Sequence, residues 1–455
     1  MGKGVTGVLE VTAAREMKGT VVLPPSGDCF FLAVVITLAA DTAARIAPLR
    51  DIPLVPWWEK ALAGHAVFNC NAESCLVEPA GSATASAITL SYEEIPYRDF
   101  VVFLLLGLKK TLLIDPLPKA RLDAWTKLAA DLGCGLQAGG ESGKTALTLT
   151  GEENFRVRDT LKSIDEVHPV LGLALGLKKQ VSLTTDTSFA SPLRHILPVF
   201  GYTLGVTSNL RDKNEDPLIR RMRFMQIGKK SEGPVMFTIA ADFSKRENRQ
   251  VDVQVPGDDV LGAIFAVAKC LVPKGGLVIE NIGLESWNMA TLSLFKKMGG
   301  IVATQETADT SFGSCGTVTL EKFGHSGRKV ECEPLFQYAQ QLPAMAVLAA
   351  FAEGQSVFRG LAGLRGDEPD GIAQLISCVN LLGARCGEMP DGIVIDGGRQ
   401  FDGFDIAEQM PAHVAAGFAV AGLRCMGKTT VNDGAILRRW PRFEEMLKSV
   451  CLFRE

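Results

Sequence analysis

A chain of 455 residues is too long for one ordinary hydrophobic core, so two domains are the natural expectation. With 47% hydrophobic and 22% charged residues it has the composition of a compact folded protein, and a formal net charge of −4 gives it no basic field to attract nucleic acid. The 11 cysteines follow no framework: Cys70 and Cys75 are the closest pair, no Cys-x-x-Cys occurs, and no histidine cluster accompanies them, which argues against structural zinc and a disulfide scaffold and predicts free buried thiols.

Along the chain, residues 1–20 show no apolar core followed by a cleavage site, so no secretory leader is expected and a cytoplasmic location follows. Asp28 is placed to cap a helix beginning near Cys29, since an aspartate there accepts backbone N–H bonds. The apolar run Val101–Ile114 is broken by Lys109-Lys110 and is too short to cross a bilayer; it predicts a buried helix, a turn and a strand, with no membrane partner. Leu128 and Leu132 mark an amphipathic helix that stops at Gly133, and Ala146–Thr150 alternates as a strand. Between them, Gly139-Gly140-Glu141-Ser142-Gly143-Lys144-Thr145 has the composition of a phosphate-binding loop. Gly139 stands four residues before Gly143 where that loop needs five, and a strand follows where it needs a helix; a hairpin turn is predicted instead. Asn209–Glu232 is charged without an apolar face and is predicted to be a solvated excursion, and Lys245–Asn248 is a second polar stretch before a strand at Val251–Val255.

Residues 255–300 are the most informative stretch. They predict a turn, an apolar helix, a Gly-Gly turn, a strand, a polar loop, an amphipathic helix carrying Leu292, Phe295 and Met298, and a stop at Gly299-Gly300. The grammar returns at 343–384, where Ile372, Leu375, Ile376, Val379 and Leu382 share one stripe and Gly383 stops the helix. A hairpin follows, with Ala384–Cys386 and Ile393–Ile395 joined through Pro390-Asp391-Gly392. This recurrence of helix, glycine and hairpin predicts stacked αβ modules around a shared interior.

With these segments the chain resembles EPSP (5-enolpyruvylshikimate-3-phosphate) synthase of the enolpyruvyltransferase family. Val255-Pro256-Gly257-Asp258 is similar to the family's V-x-G-D entry into a helix, and Gly283–Gly300 to its glycine-bounded helix. Phe418–Leu423 and Trp440-Pro441-Arg442-Phe443 are similar to its closing segments. In the N-terminal half the likeness rests on Leu23–Val35, Tyr92–Leu106 and Thr111–Cys134. The resemblance implies an α/β, two-domain enolpyruvyltransferase-like fold, each domain built of repeated βαβαββ units around buried helices. One domain would take residues 1–20 and 255–455, the other 21–254, with crossovers near 20 and 250. It implies enolpyruvyl transfer from phosphoenolpyruvate to shikimate 3-phosphate, in the shikimate pathway, within an interdomain cleft where helix N-termini favour anions. These small-molecule substrates are its implied partners. It implies no metal and no organic cofactor, and a two-lobed clamp needs no second chain to close.

Site residues carry over motif by motif. The family's P-G-S-K-S-x-S-N-R falls on Pro24–Leu32, keeping Ser26, placing Gly27 and Leu32 where cations stand, and adding Asp28. G-N-A-G-T-A-x-R-P falls on Ser91–Asp99 and keeps Arg98. Arg121, or Lys119 beside it, replaces the arginine that grips the carboxylate of phosphoenolpyruvate, and S-S-Q becomes Lys162-Ser163-Ile164. I-P-D-A falls on Leu342-Pro343-Ala344-Met345, where Ala344 takes no proton. V-K-E-T-D-R falls on Gly366–Gly371, which keeps Glu368 for the proton relay and puts Arg365 one step early. D-H-R falls on Pro411-Ala412-His413, His413 being a pH-dependent stand-in for the arginine, and the closing lysine becomes Arg438. The implied binding set is therefore Ser26, Asp28, Arg98, Arg121, Lys162, Ser163, Arg365, His413 and Arg438, with Glu368 catalytic. Two further readings stay open: a family member that has lost the reaction and serves as a binding or regulatory partner, and a transferase or lyase for a less anionic substrate.

Overall fold

In a computed structural model, the protein is described over residues 7–49, 52–53, 55–80, 87–92, 95–141, 144–157, 164–185, 191–208, 237–244, 249–285, 288–322, 326–332, 339–366 and 370–454. Its principal helices are α1 (Gly27–Ala40), α2 (Arg98–Gly107), α3 (Lys119–Asp131), α4 (Ile164–Gly176), α5 (Asp259–Leu271), α6 (Ala290–Lys297), α7 (Leu342–Phe351), α8 (Gly371–Leu381), α9 (Ala412–Ala419) and α10 (Gly434–Arg439).

One unit repeats through these elements. At residues 88–150, Ile88–Ser91 leads through α2 to a parallel Leu112–Asp115, and α3 then leads to the hairpin Gly135–Glu141/Lys144–Thr150. At 329–396 the same order holds: Lys329–Glu331, α7, a parallel Gln355–Arg359, α8, and the hairpin Arg385–Met389/Gly392–Asp396. Two further sheets take their first parallel strand from across the chain. Gly19–Val22 pairs with Leu277–Gly283, and Val251–Gln254 pairs with Ala44–Ala47. The helices that precede the hairpins stop at Gly133, Gly299 and Gly383, whose φ values of +82°, +98° and +85° suit glycine and cost any L side chain about 1–2 kcal/mol. The glycine-rich segment at 139–145 is a hairpin, pairing Lys144 with Glu141.

The buried residues fall into two separate cores. One joins Leu9–Leu23 to residues between Val260 and Val450; the other runs from Cys29 to Val255 and also takes in Ala290 and Phe312. At the centre of each lobe lie helices that are apolar on nearly every side, because they are wrapped by units of their own lobe. In α1, Phe30 to Ile36 are all fully buried, and in α7 every residue from Leu342 to Phe351 is buried. Where α2 meets α4 the backbones touch: a Cβ on Gly172 would strike the Phe100 carbonyl oxygen, and one on Gly176 the Leu104 carbonyl oxygen. The chain passes between lobes in two paired segments. Ser26 N–H donates to the Pro256 carbonyl and Asp258 N–H to the Pro24 carbonyl, each at 2.8 Å.

The expectation of free thiols throughout fails at one pair. Cys70 and Cys75 are joined in a disulfide, because the strands Ala66–Cys70 and Cys75–Pro79 set them directly opposite each other with their Cα atoms 3.9 Å apart. Sequence spacing alone does not show that register. The other cysteines are free thiols, most of them buried. Asn209–Glu232 and Lys245–Asn248 lie outside the described residues. Among the described residues, no helix is long and apolar enough to cross a membrane, and no group of histidine, cysteine and carboxylate side chains is arranged to hold a metal ion.

Candidate functional site

Five helix N-termini from the two lobes point at one place. From the lobe of the second core come α1, opened by Ser26, and α2, opened by Tyr97. From the other lobe come α5, opened by Asp258, α7, opened by Gln341, and α9, whose first turn carries His413. Their free N–H groups and aligned peptide dipoles make this cleft attractive to negative charge.

The cleft already contains such charge. Asp28, in the first turn of α1, accepts a hydrogen bond from Arg439 Nη2 at 3.0 Å, and Arg439 ends α10 in the opposite lobe. Arg439 Nη1 donates to Gln340 Oε1 at 2.7 Å, and Nη2 lies 3.7 Å from Asp258 Oδ2. Asp258 in turn caps α5 by accepting from Leu261 N–H and receives Trp440 Nε1–H at 2.9 Å. Asp259 accepts from Gln341 Nε2 at 3.0 Å, while Gln341 Oε1 is held by the Thr291 hydroxyl. Three carboxylates thus stand near one guanidinium.

That imbalance sets the protonation states. Burial, reinforced by the negative charges of Asp258 and Asp28, pushes Asp259 up to about 7, a value poised for proton transfer at neutral pH. Burial also raises Asp28, with Arg439 opposing it. Burial drives His413 down to about 3, assisted by the cations Arg439 and Arg98, so the imidazole is neutral at pH 7. On the α1 side, Cys29 Sγ lies 3.9 Å from Tyr97 Oη, and burial pushes both groups up so that both stay protonated.

The residues expected from the sequence divide accordingly. Ser26, not Asp28, is the cap of α1: its Oγ accepts from Cys29 N–H at 3.3 Å, and the helix starts at Gly27, two residues earlier than expected. Asp28 is left with its side chain aimed at the other lobe. Arg98 stacks over Tyr92 with Cζ 3.7 Å from the ring centroid and donates to the Tyr92 carbonyl. Arg121 donates to Tyr92 Oη at 3.1 Å, faces Asp99 at 3.7 Å, and reaches the Gly363 carbonyl of the opposite lobe at 3.5 Å. Arg98 and Arg121 therefore flank the cleft around one tyrosine.

Arg365 is turned away. It donates to the Met389 and Pro390 carbonyls and pairs with Asp370 and Glu388, which fastens it to the hairpin beyond α8. Arg438 is exposed, and its neighbour Arg439 faces inward instead, because α10 turns residue 438 outward at its last turn. Ala344 is 1% exposed inside α7, so the place assigned to a lost base lies in the core; at the head of that helix Gln340 reaches the cleft. Lys162, Ser163 and Glu368 lie outside the described residues. Sequence reasoning missed Arg439, Asp259, Gln340, Gln341 and Tyr97. Only the doublets Asp258-Asp259 and Arg438-Arg439, each at a helix end, hinted at them. A cavity of about 540 Å³ lies elsewhere, against the crossover residues 20–25 and Trp440, Pro441 and Met446.

Two lobes of βαβαββ units that close their helix N-termini on a shared charged cleft define the enolpyruvyltransferase class of fold. Residues 230–447 match the family model for EPSP synthase (3-phosphoshikimate 1-carboxyvinyltransferase). The chain is 30% identical over 186 residues to the 3-phosphoshikimate 1-carboxyvinyltransferase of Synechococcus sp. (strain JA-3-3Ab), covering 41% of this chain and 42% of that protein. To the enzyme of the same name from Crocosphaera subtropica it is 28% identical over 200 residues, 44% of each chain. The sequence match thus spans less than half the length of these relatives. By fold, the chain is similar to EPSP synthase from Acinetobacter baumannii, with a TM-score of 0.68 over 98% of both chains at 19% identity. It is also similar to the enolpyruvyl transferase NikO from Streptomyces tendae, with a TM-score of 0.65 over 97% of both at 16% identity. The chain is thus similar to EPSP synthases by sequence over much of its C-terminal half, and shares their fold over nearly its whole length.

Proposed function

We propose that this chain is an enolpyruvyltransferase that works in the cleft between its lobes, moving the carboxyvinyl group of phosphoenolpyruvate to a hydroxyl of shikimate 3-phosphate or of a related, less anionic acceptor. The single observation that carries this reading is the convergence of five helix N-termini on Arg439, Asp28, Asp259 and Gln341. The N-termini and the cations Arg98, Arg121 and Arg439 favour the anionic donor. Asp259, titrating near neutrality, is suited to taking the acceptor's proton as the hydroxyl adds to the enol carbon. Glu368, which the family's motif favours, is a second candidate for proton transfer. The segments near residues 20 and 250 serve in this reading as the hinge of two domains, 1–20 with 255–455 and 21–254.

The less anionic acceptor is favoured by one feature: Asp28 stands in the stretch where the family places cations, and Asp258 and Asp259 add to it. Both acceptor classes are separable in one assay. Protein incubated with phosphoenolpyruvate and shikimate 3-phosphate releases inorganic phosphate if the reading holds with that acceptor. Release only with dephosphorylated acceptors assigns the less anionic one. Absence of phosphate release with either class, from protein that still binds phosphoenolpyruvate, leaves a binding role and sinks the transferase.

A further inference from the structure

Arg439 reaches across the cleft to contact side chains at the heads of helices from both lobes, Asp28 on one side and Gln340 and Asp258 on the other. Its side chain is 16% exposed and its guanidinium stacks 4.8 Å from the Trp440 ring centroid, so it is fixed in place and largely shielded from water. Asp28 belongs to a helix of the other core, so the Arg439–Asp28 bond spans the lobes. A carboxylate on the Nη2 of a shielded arginine, beside converging helix N-termini, has the chemistry of a bound anion supplied by the protein itself.

We propose that Arg439 is an anion-binding residue of the cleft, for a phosphate- or carboxylate-bearing ligand, and that Asp28 holds it as a tethered pseudo-ligand that an incoming anion must displace. This rests on the cleft being the ligand site of the proposed function, but not on which acceptor it takes. The exchange is balanced by one proton from solvent: the ligand oxygens take the Arg439 N–H bonds, and the released Asp28 carboxylate becomes a carboxylic acid. Its surroundings require that proton. Asp258 and, above about pH 7, Asp259 from α5 present negative charge; Cys29 and Tyr97 from α1 and α2 stay protonated; Gln340 is neutral, and His413 of α9 is uncharged at pH 7. Burial already raises Asp28, and Arg439 is the partner that opposes the rise. Wild-type affinity for anions is accordingly reduced by the small fraction of molecules in which the pair is open.

The test uses the full chain, with sulfate and phosphoenolpyruvate as probes, read by calorimetry. Sulfate carries no titrating proton near neutrality, so any proton taken up from the buffer on its binding is bound by a group of the protein. Asp28→Asn is expected to bind both probes at least about tenfold more tightly than wild type, and Asp28→Asn/Arg439→Gln to lose that gain. Wild type is expected to take up close to one proton per sulfate, seen by comparing heats in two buffers of different ionisation enthalpy. Equal affinity of wild type and Asp28→Asn overturns the proposal, as does a gain that survives in the double variant. If circular dichroism shows the double variant unfolded, the wild-type proton count decides, and sulfate binding without proton uptake overturns it. Phosphate release with shikimate 3-phosphate is measured on the same samples. A sulfate gain without turnover removes the functional reading and keeps this one; turnover without the gain does the reverse.

Discussion

Asp259 and His413 carry opposite pH signatures. An aspartate held at about 7 binds a proton in the folded state that the unfolded chain has released above about pH 4, so its stabilisation is present at low pH and is lost as pH rises through 7. A histidine held at about 3 stays neutral while the unfolded chain takes up a proton below 6.5, so its contribution is present above 6.5 and is lost as pH falls. His168, lowered to about 4 by burial, adds to the second slope. In the wild type these trends oppose each other between about pH 4 and 6.5. Asp259→Asn is expected to expose the histidine slope, with urea midpoints climbing more steeply across that range, whereas His413→Gln is expected to lower it. Midpoints that change in parallel for both variants would refute the assignment. At the head of α1, Ser26→Ala is expected to cost about 1 kcal/mol, because Cys29 N–H loses its acceptor inside the protein. Asp28→Asn leaves that cap in place, and chemical denaturation distinguishes the two.

Elements in this fold depend on glycine in two distinct ways. Gly133, Gly299 and Gly383 end helices in a left-handed conformation, and each is visible in the sequence as a stop after an apolar stripe. Gly172 and Gly176 act through contact: they let α4 lie directly on the backbone of α2, and nothing in the local sequence announces it. Gly172→Ala forces a methyl group against the Phe100 carbonyl and is expected to cost about 2–4 kcal/mol, with a matching fall in melting temperature. An unchanged melting temperature would show that the two helices can part without penalty. The same distinction explains the segment at 139–145, whose alternating strand residues identified a hairpin despite its resemblance to a phosphate loop.

At the scale of the molecule, specific contacts join the lobes. Phe312, from the tip of the hairpin Ile301–Thr310/Gly313–Lys322, is 1% exposed and sits in the core of the other lobe. His195 faces Glu285 across the lobes at 3.7 Å, and Arg121 reaches the Gly363 carbonyl. Phe312→Ala is expected to destabilise by about 3–5 kcal/mol and to enlarge the radius of gyration in small-angle scattering; loss of stability at unchanged size would mean the residue only fills a core. Periodicity and glycine stops sufficed for the αβ units, because hydrophobic stripes and left-handed turns are local requirements that each segment satisfies by itself. The sequence also placed Asp258 at the entry to α5 and brought Ser26, Asp28, Arg98 and Arg121 to the cleft region. It did not show that Arg439 faces inward while Arg438 faces water, that Arg365 is fastened to its own hairpin, or that Cys70 meets Cys75. Those outcomes depend on which face of a helix end or strand the opposite element covers. They also depend on the summed field of charges far apart in the chain, and that field exists only once both lobes have folded and closed on each other.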